Sequence, residues 1–164
     1  MASNYQGGQG LRPGNAPQRG YSNDRQDTPR PTISVADIKL AAPLPDTLFD
    51  SIAADKAKAV YQAGDGRKNK STQLRKFYDE LVMWFDMVQI ERTKEAKAAK
   101  YTEIAPFIKM MNAKVAYARG RDHVDECFET MFSHLIKQIA DPDSLKHAKL
   151  FMEAFMGFYK AQEK

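Results

Sequence analysis

The chain has 164 residues, of which 43% are hydrophobic, and a formal net charge of +4. This length and apolar content suffice for one compact domain with its own core, and the single cysteine, Cys127, excludes an intramolecular disulfide. No stretch approaches the ~20 apolar residues of a membrane span, and the first residues lack the apolar run of a signal peptide. We therefore expect a soluble, cytoplasmic protein.

Residues 1–44 differ in composition from the rest of the chain. They are rich in Gly, Pro, Gln, Asn and Ser, and their arginines outnumber Asp24 and Asp27 by two. Such a segment buries too little apolar surface to offset its ordering entropy, so we predict a flexible basic tail. Tyr5 and Tyr21 would add weak, sequence-independent RNA contacts, while a purely solubilising tail explains the composition equally well. A short extended piece that docks on the domain is indicated by four apolar residues, Ile33, Val35, Ile38 and Leu40.

Residues 45–164 show helical spacing of apolar residues, which predicts an all-α fold consisting of a single five-helix bundle. The first helix ends at Gly64, because Gly64 and Gly66 can take the positive φ of a sharp turn. The second begins near Thr72, where the side-chain oxygen of Ser71 or Thr72 would cap the free N–H groups of its first turn.

The third helix should open between Thr102 and Pro106, because proline is tolerated only in a first turn, and it should end at Gly120. Its expected inner face comprises Ile104, Phe107, Ile108, Met111 and Val115. Residues 91–100 have few apolar anchors and either extend the second helix or form a flexible connection. The fourth helix carries an unbroken apolar stripe, and Asp141-Pro142-Asp143 closes it and starts the fifth.

The loop before the second helix concentrates the positive charge of the chain. Between Gly64 and Phe77 five cations accompany one acid, which gives 5 − 1 = +4, the formal charge of the whole chain. These cations are Arg67, Lys68, Lys70, Arg75 and Lys76. Because exposed N–H groups at a helix start attract anions, the pattern predicts a site for a phosphate backbone. Two simpler interpretations stay open, a solvated cationic loop and a salt bridge from Arg75 to Asp79.

The fifth helix is apolar over most of its circumference. Besides the stripe that faces the bundle, it has a second stripe made of Leu150, Phe151, Ala154 and Phe158. A helix of this kind is either central to the bundle or covered by a partner. We interpret the second stripe as a partner interface.

The sequence contains no recognisable catalytic constellation. It has neither a phosphate-binding glycine motif after a strand nor a pair of Glu-x-x-His motifs. His123, Glu126 and Cys127 lie close together, but Cys127 belongs to an apolar stripe and His123 to a helix start, which favours structural roles over a metal site. We therefore predict a protein without catalytic residues, bound metal or cofactor.

Two stretches and the end of the chain carry a resemblance to a known family. The first stretch reads Lys70-Ser71-Thr72-Gln73-Leu74-Arg75-Lys76-Phe77, and the second reads Val115-Ala116-Tyr117-Ala118-Arg119-Gly120-Arg121. A Phe-rich segment follows, Glu153-Ala154-Phe155-Met156-Gly157-Phe158-Tyr159. In this order they resemble the small subunit of type III-A CRISPR interference (Csm) complexes, over roughly residues 46–164.

The resemblance implies a non-catalytic helical bundle that stacks in several copies beside the backbone and large subunits of the complex. Such subunits line the channel where guide RNA and target RNA pair, and guide pairing rather than the protein reads the sequence. The positions that match the family motifs are Ser71, Thr72, Gln73, Arg75, Lys76, Tyr117, Gly120 and Arg121, and basic residues around them contact the target strand. The predicted RNA-binding residues are Ser71, Thr72, Gln73, Arg75, Lys76 and Arg121 from these motifs, together with five that we add by charge and proximity, Arg67, Lys68, Lys70, Lys114 and Arg119.

Two other interpretations of the chain stay open. A free-standing helical adaptor would bind protein through its last helix and leave the basic loop solvated. A helix-turn-helix DNA binder would need a recognition-helix pair with side chains free for base edges, and none is visible. An enzyme is the least supported class.

Overall fold

A computed structural model of the protein describes residues 30–164. All regular structure in this part of the chain is helical, so the predicted all-α bundle is confirmed. The helices are α1 Ala53–Gly64, α2 Ser71–Gln89, α3 Lys94–Lys109, α4 Met111–Gly120, α5 Glu126–Gln138 and α6 Pro142–Gln162, and a π-helical turn, Leu48–Ile52, precedes α1. Among the described residues no helix has both the length and the apolar content that a membrane crossing requires.

Helices α3 and α4 together correspond to the third helix of the predicted bundle. Only Met110 separates them, and it keeps helical dihedral angles (φ −64°, ψ −18°) while its carbonyl accepts from the Lys114 N–H at 3.2 Å. The predicted start between Thr102 and Pro106 is wrong. The helix begins directly after Thr93, whose hydroxyl oxygen accepts from an N–H of the first turn at 3.1 Å.

Pro106 lies inside α3 without ending it. The missing proline N–H leaves the Thr102 carbonyl without its helical partner, but both residues are exposed, so water can satisfy that carbonyl. Three buried side chains anchor the helix on both sides of the proline, Tyr101, Ile104 and Ile108. Residues 94–100 are therefore the first turns of α3, so for them both predicted alternatives, an extension of the second helix and a flexible connection, are wrong.

Helix α6 is the centre of the bundle and packs against α1, α2, α3 and α5. As predicted, it starts at Pro142, behind Asp141, whose carboxylate accepts from the Ser144 N–H at 2.7 Å. Phe151 is fully buried, so its assignment to a partner interface is wrong, because the surrounding helices already cover it. The other three residues of the second stripe, Leu150, Ala154 and Phe158, are partly buried.

Residues 30–40 form a segment without helix or strand, with one turn at residues 35–38, that lies along the bundle and is called the N-terminal strap below. Its Ile38 and Leu40 side chains are buried. The Ile38 carbonyl lies 2.9 Å from Nε2 of His134 on α5, and the Leu40 carbonyl lies 2.8 Å from Nδ1 of His147 on α6. Both histidines therefore fix the strap. Tyr5, Tyr21 and the rest of residues 1–29 lie outside the described residues, and the flexible tail stays a prediction.

Candidate nucleic-acid interface

The loop between α1 and α2 begins with two consecutive residues whose backbone is left-handed. Asp65 (φ 48°) and Gly66 (φ 64°) make the turn, so the expected positive φ is found at Gly66 but not at Gly64. Gly64 is the last residue of α1, and a Cβ added there would lie 3.2 Å from the side chain of Asn69. The glycine is thus required for close packing rather than for its backbone freedom.

Asn69 joins this loop to the turn between α4 and α5. It is fully buried and has left-handed backbone (φ 57°). Its Nδ2 donates to the Val60 carbonyl at 2.9 Å and to Asp125 Oδ1 at 2.8 Å, and its Oδ1 accepts from the Asp125 N–H at 2.8 Å. Its own N–H donates to the His123 carbonyl at 3.0 Å, and its carbonyl accepts from the Tyr159 hydroxyl. The loop before the first motif stretch and the turn after the second therefore meet at a satisfied buried polar group that the sequence interpretation missed.

Cations of the loop contact acceptors within the chain. Arg67 pairs with Asp65 at 3.1 Å, and Lys68 reaches across the junction to Asp122 at 2.5 Å. Hydrogen bonding and charge from Lys68 lower the pKa of Asp122 below its usual range. Lys70 donates to a backbone carbonyl of the same loop.

Arg119, near the end of α4, lies beside the same loop. It pairs with Glu129 at 3.0 Å and with Glu126 at 3.7 Å. Arg67, Lys68 and Arg119 line one shared hollow, together with Arg30 of the strap and four acids, Asp65, Asp122, Asp125 and Glu126. These cations from three parts of the sequence therefore form a single cluster, which we call the basic junction.

The N-terminus of α2 is built differently from the prediction. Lys70 is the N-cap residue and Ser71 is already helical, so neither Ser71 nor Thr72 caps the helix with its side chain. Glu163 from the end of α6 lies there instead. Its pKa is lowered first by a hydrogen bond from Lys160 and further by hydrogen bonds from the side chain and backbone of Ser71. A carboxylate of the chain itself therefore lies beside the first residue of α2.

A second surface, which we call the α2–α4 strip, consists of two facing rows of side chains. One row contains Gln73, Lys76, Glu80 and Trp84 of α2, and the other contains Phe107, Met110, Lys114, Tyr117 and Arg121 of α3, α4 and the turn after α4. Lys114 pairs with Glu80 at 2.7 Å, and the rings of Trp84 and Phe107 stack with centroids 6.1 Å apart. The rows thus run antiparallel, and the same register places Tyr117 at the level of Lys76 and Arg121 at the level of Gln73.

The strip exposes aromatic surface at both ends. Phe107 is 50% exposed, so its placement on the inner face of the third helix is wrong, because α3 turns Ile104 and Ile108 inward and leaves Phe107 beside them. Tyr117 is 67% exposed. In the sequence Tyr117 matches a family motif and lies one turn from both Lys114 and Arg121.

Arg75 and Thr72 lie on a third side of α2. They line a hollow with Met156 and Gly157 of α6, and neither residue lines the hollow of the basic junction. Arg75 also lies 3.6 Å from Asp79, the salt bridge that the sequence left open. The predicted set therefore separates into the basic junction, the strip and this α2–α6 side.

Cys127 belongs to the core rather than to a reactive site. It is buried, its Sγ contacts the Pro31 carbonyl at 3.2 Å, and burial together with Asp125 raises the pKa of the thiol to about 12. Among residues 30–164, no three His, Cys, Asp or Glu side chains lie close enough together to hold a metal ion.

The comparisons with known proteins give one match. A family model described as Csm2 Type III-A matches residues 47–164, a range that includes all six helices and both motif stretches. The N-terminal strap lies before the matched range. No curated protein and no solved structure matches the chain.

Proposed function

We propose a function on the premise that the chain belongs to the Csm2 Type III-A family. Membership confirms the resemblance seen in the sequence and makes the chain a structural subunit of the type III-A CRISPR complex, associated with other Csm subunits. Within that complex we assign it the task of holding the backbone of the guide–target RNA duplex. In this proposal the subunit neither reads the RNA sequence nor catalyses a reaction.

The junction made by Asn69 is the observation that carries the proposal. It fixes the loop against the turn before α5, so Arg67 and Lys68 stand beside Arg119 at one end of the bundle. A sugar–phosphate backbone is the ligand that such a grouping of cations suits, because phosphate contacts position a protein without carrying sequence information. Lys70 and Arg121 border the same junction in the sequence and extend its charge.

The ion pairs at the basic junction are suited to exchange. The side chains of Arg67 and Asp65 are 84% and 78% exposed, and exposed pairs of this kind contribute only ~0–1 kcal/mol. Arginine binds phosphate through two parallel, charge-assisted hydrogen bonds, which are stronger than ordinary ones. A phosphate can therefore replace the carboxylate partners at little cost in stability.

The test compares two double variants in the assembled complex. Lys68→Ala/Lys70→Ala removes two cations of the loop, and Lys94→Ala/Lys146→Ala removes the same charge near the opposite ends of α2 and α6. We expect the loop variant to weaken target-RNA retention by the same factor with two unrelated guides. Each lost phosphate contact should also reduce the salt dependence, by roughly 0.7–0.9 in the slope of log affinity against log salt.

The matched control sets the standard for this test. The Lys94→Ala/Lys146→Ala variant should retain target RNA as the unaltered complex does. Equal losses in both variants would mean that only net charge matters, and an unchanged loop variant would place RNA binding elsewhere. A loss that depends on the guide sequence would contradict backbone recognition.

The proposed absence of catalysis is supported by the chemistry of the described residues. The Cys127 thiol is buried and stays protonated at neutral pH, and His123 offers its backbone carbonyl to Asn69. Purified subunit should cut neither RNA nor DNA in the presence of Mg²⁺ or Mn²⁺. Cleavage that disappears on replacement of His123 or Cys127 would contradict the proposal.

We also propose that further copies of the chain, or neighbouring subunits, contact the accessible part of the second α6 stripe. Leu150, Ala154 and Phe158 keep part of their surface exposed, although Phe158 and Ala154 also pack against the core. The support is that the family acts within a complex, so an apolar stripe on the surface has partners available.

A further inference from the structure

Tyr117 is the most exposed aromatic side chain of the α2–α4 strip. Single exposed aromatic residues are common on protein surfaces and need no explanation by themselves. Tyr117 differs because two cations lie close to it in the sequence, Lys114 one turn before it and Arg121 one turn after it. The register set by the Lys114–Glu80 pair puts Lys76 of α2 at the same level along the helix.

The two ends of the strip have different chemistry. At one end the rings of Trp84 and Phe107 stack on each other beside the half-exposed Met110, which leaves less ring surface for a ligand. At the other end Tyr117 has polar and cationic neighbours. An apolar protein partner would leave those cations desolvated, whereas a nucleotide presents a flat ring and a phosphate together.

From this arrangement we infer that Tyr117 stacks on an unpaired nucleobase of bound RNA, while Arg121 and Lys76 contact the adjoining phosphates. Aromatic side chains interleaved with cations are the general means by which proteins bind single-stranded nucleic acids without sequence preference. Bases inside a duplex have both faces covered by their neighbours, so the ligand of this subsite is an unpaired segment. The inference rests on the proposed RNA-binding function and extends it from backbone contacts to base stacking.

The experiment measures binding of the full-length subunit to two fluorescent probes of equal charge. One is a short single-stranded oligoadenylate, and the other has the same ribose–phosphate backbone without bases. Tyr117→Ala should lower affinity for oligoadenylate by roughly 5- to 100-fold, the range expected for one stacked base, and leave affinity for the abasic probe unchanged. Tyr117→Phe, which keeps the ring, should bind oligoadenylate as the unaltered protein does.

The salt dependence of binding distinguishes the contribution of Tyr117 from that of the cations. Tyr117→Ala should keep the slope of log affinity against log salt, whereas Lys76→Ala/Arg121→Ala should reduce it and weaken both probes equally. Circular dichroism melting of each variant checks that the helices remain folded, and Tyr117→Phe serves as the reference if Tyr117→Ala melts early.

The outcomes distinguish this inference from the proposed function. If the unaltered subunit binds neither probe and the assembled complex shows no salt-dependent retention, the proposed function fails. If salt-dependent binding is present but Tyr117→Ala binds oligoadenylate normally, or loses both probes equally, the stacking inference alone fails. Normal RNA binding combined with failed incorporation of Tyr117→Ala into the complex would identify a protein-docking surface instead.

Discussion

Replacing Asn69 by alanine should destabilise the protein more than the small number of removed atoms suggests. The change removes three hydrogen bonds of a fully buried side chain and leaves the Asp125 N–H without its partner. At about 1 kcal/mol for each bond, the loss is about 3 kcal/mol. Alanine in a left-handed conformation adds about 1 kcal/mol, since asparagine tolerates positive φ better.

The total of about 4 kcal/mol is a large part of the ~5–15 kcal/mol that stabilises a domain. It should lower the melting midpoint by about 8–16 °C for a chain of this length. Urea unfolding followed by circular dichroism gives the free energy of unfolding directly. The same variant should retain target RNA less well, because the loop that carries Arg67 and Lys68 is no longer held against the turn.

Two further variants separate the contributions. Asn69→Gly permits the positive φ but loses the same hydrogen bonds, so it should be about 1 kcal/mol more stable than Asn69→Ala. Asn69→Asp places a carboxylate against that of Asp125. The like charge raises a carboxyl pKa in the folded state, so the Asp variant should gain stability as the pH falls through that range. A free energy of unfolding for Asn69→Ala within about 0.5 kcal/mol of the unaltered protein would refute the argument.

Three more predictions concern the rest of the bundle. Lys109 donates to the carbonyl of Ile136, in the last turn of α5, at 2.6 Å and to that of Ile139, just after the helix, at 2.5 Å. Lys109→Met should therefore cost about 1–3 kcal/mol in urea unfolding, and no loss would mean that water replaces the lysine. Asp141→Ala should cost about 1 kcal/mol by removing the cap of α6. Hydrogen bonds from Ser144 hold the pKa of Asp141 below its usual range, so the stabilisation by this cap is present at neutral pH. It is lost as the pH falls through the folded-state pKa of Asp141. The stability of the alanine variant should not show this pH dependence. Phe151→Glu should lower the free energy of unfolding by several kcal/mol, because the charge is buried in the core. Phe158→Glu should stay folded but fail to assemble into the complex. Early melting of both variants would assign Phe158 to the core.

The regular helices could be predicted from the sequence because their apolar stripes are strong. The buried faces of α5 and α6 follow helical spacing closely. The start of α3 was missed because Tyr101 is its first buried residue, so the preceding turns depend on the Thr93 cap and on the helix propensity of Ala, Glu and Lys. The expectation that proline occurs only in the first turn of a helix then misplaced the start of α3 near Pro106. In the structure, the burial of side chains on both sides of Pro106 outweighs the one missing hydrogen bond.

The candidate site was predictable in composition but not in pairing. The Arg75–Asp79 pair could be foreseen, because the two residues are one helical turn apart. The partners of Lys68 and Lys114 could not, because Asp122 and Glu80 are 54 and 34 residues away in the sequence. Asn69 was missed for the same reason: its partner Asp125 is 56 residues away, and nothing in a basic loop marks one asparagine as buried.

Under the proposed function, the contrast between Asn69 and the cations around it would let one surface keep a fixed shape and still bind any RNA sequence. The loop is held by a buried, fully bonded amide, so binding does not have to order the backbone, and that entropic cost is avoided. The charged ends of Arg67 and Lys68 stay exposed in pairs that salt weakens and phosphate can replace. Burying those cations would have fixed one geometry for one ligand. Leaving them exposed on a rigid loop keeps the spacing of the contacts while making each contact exchangeable, which is the requirement for a subunit that follows a backbone rather than a sequence.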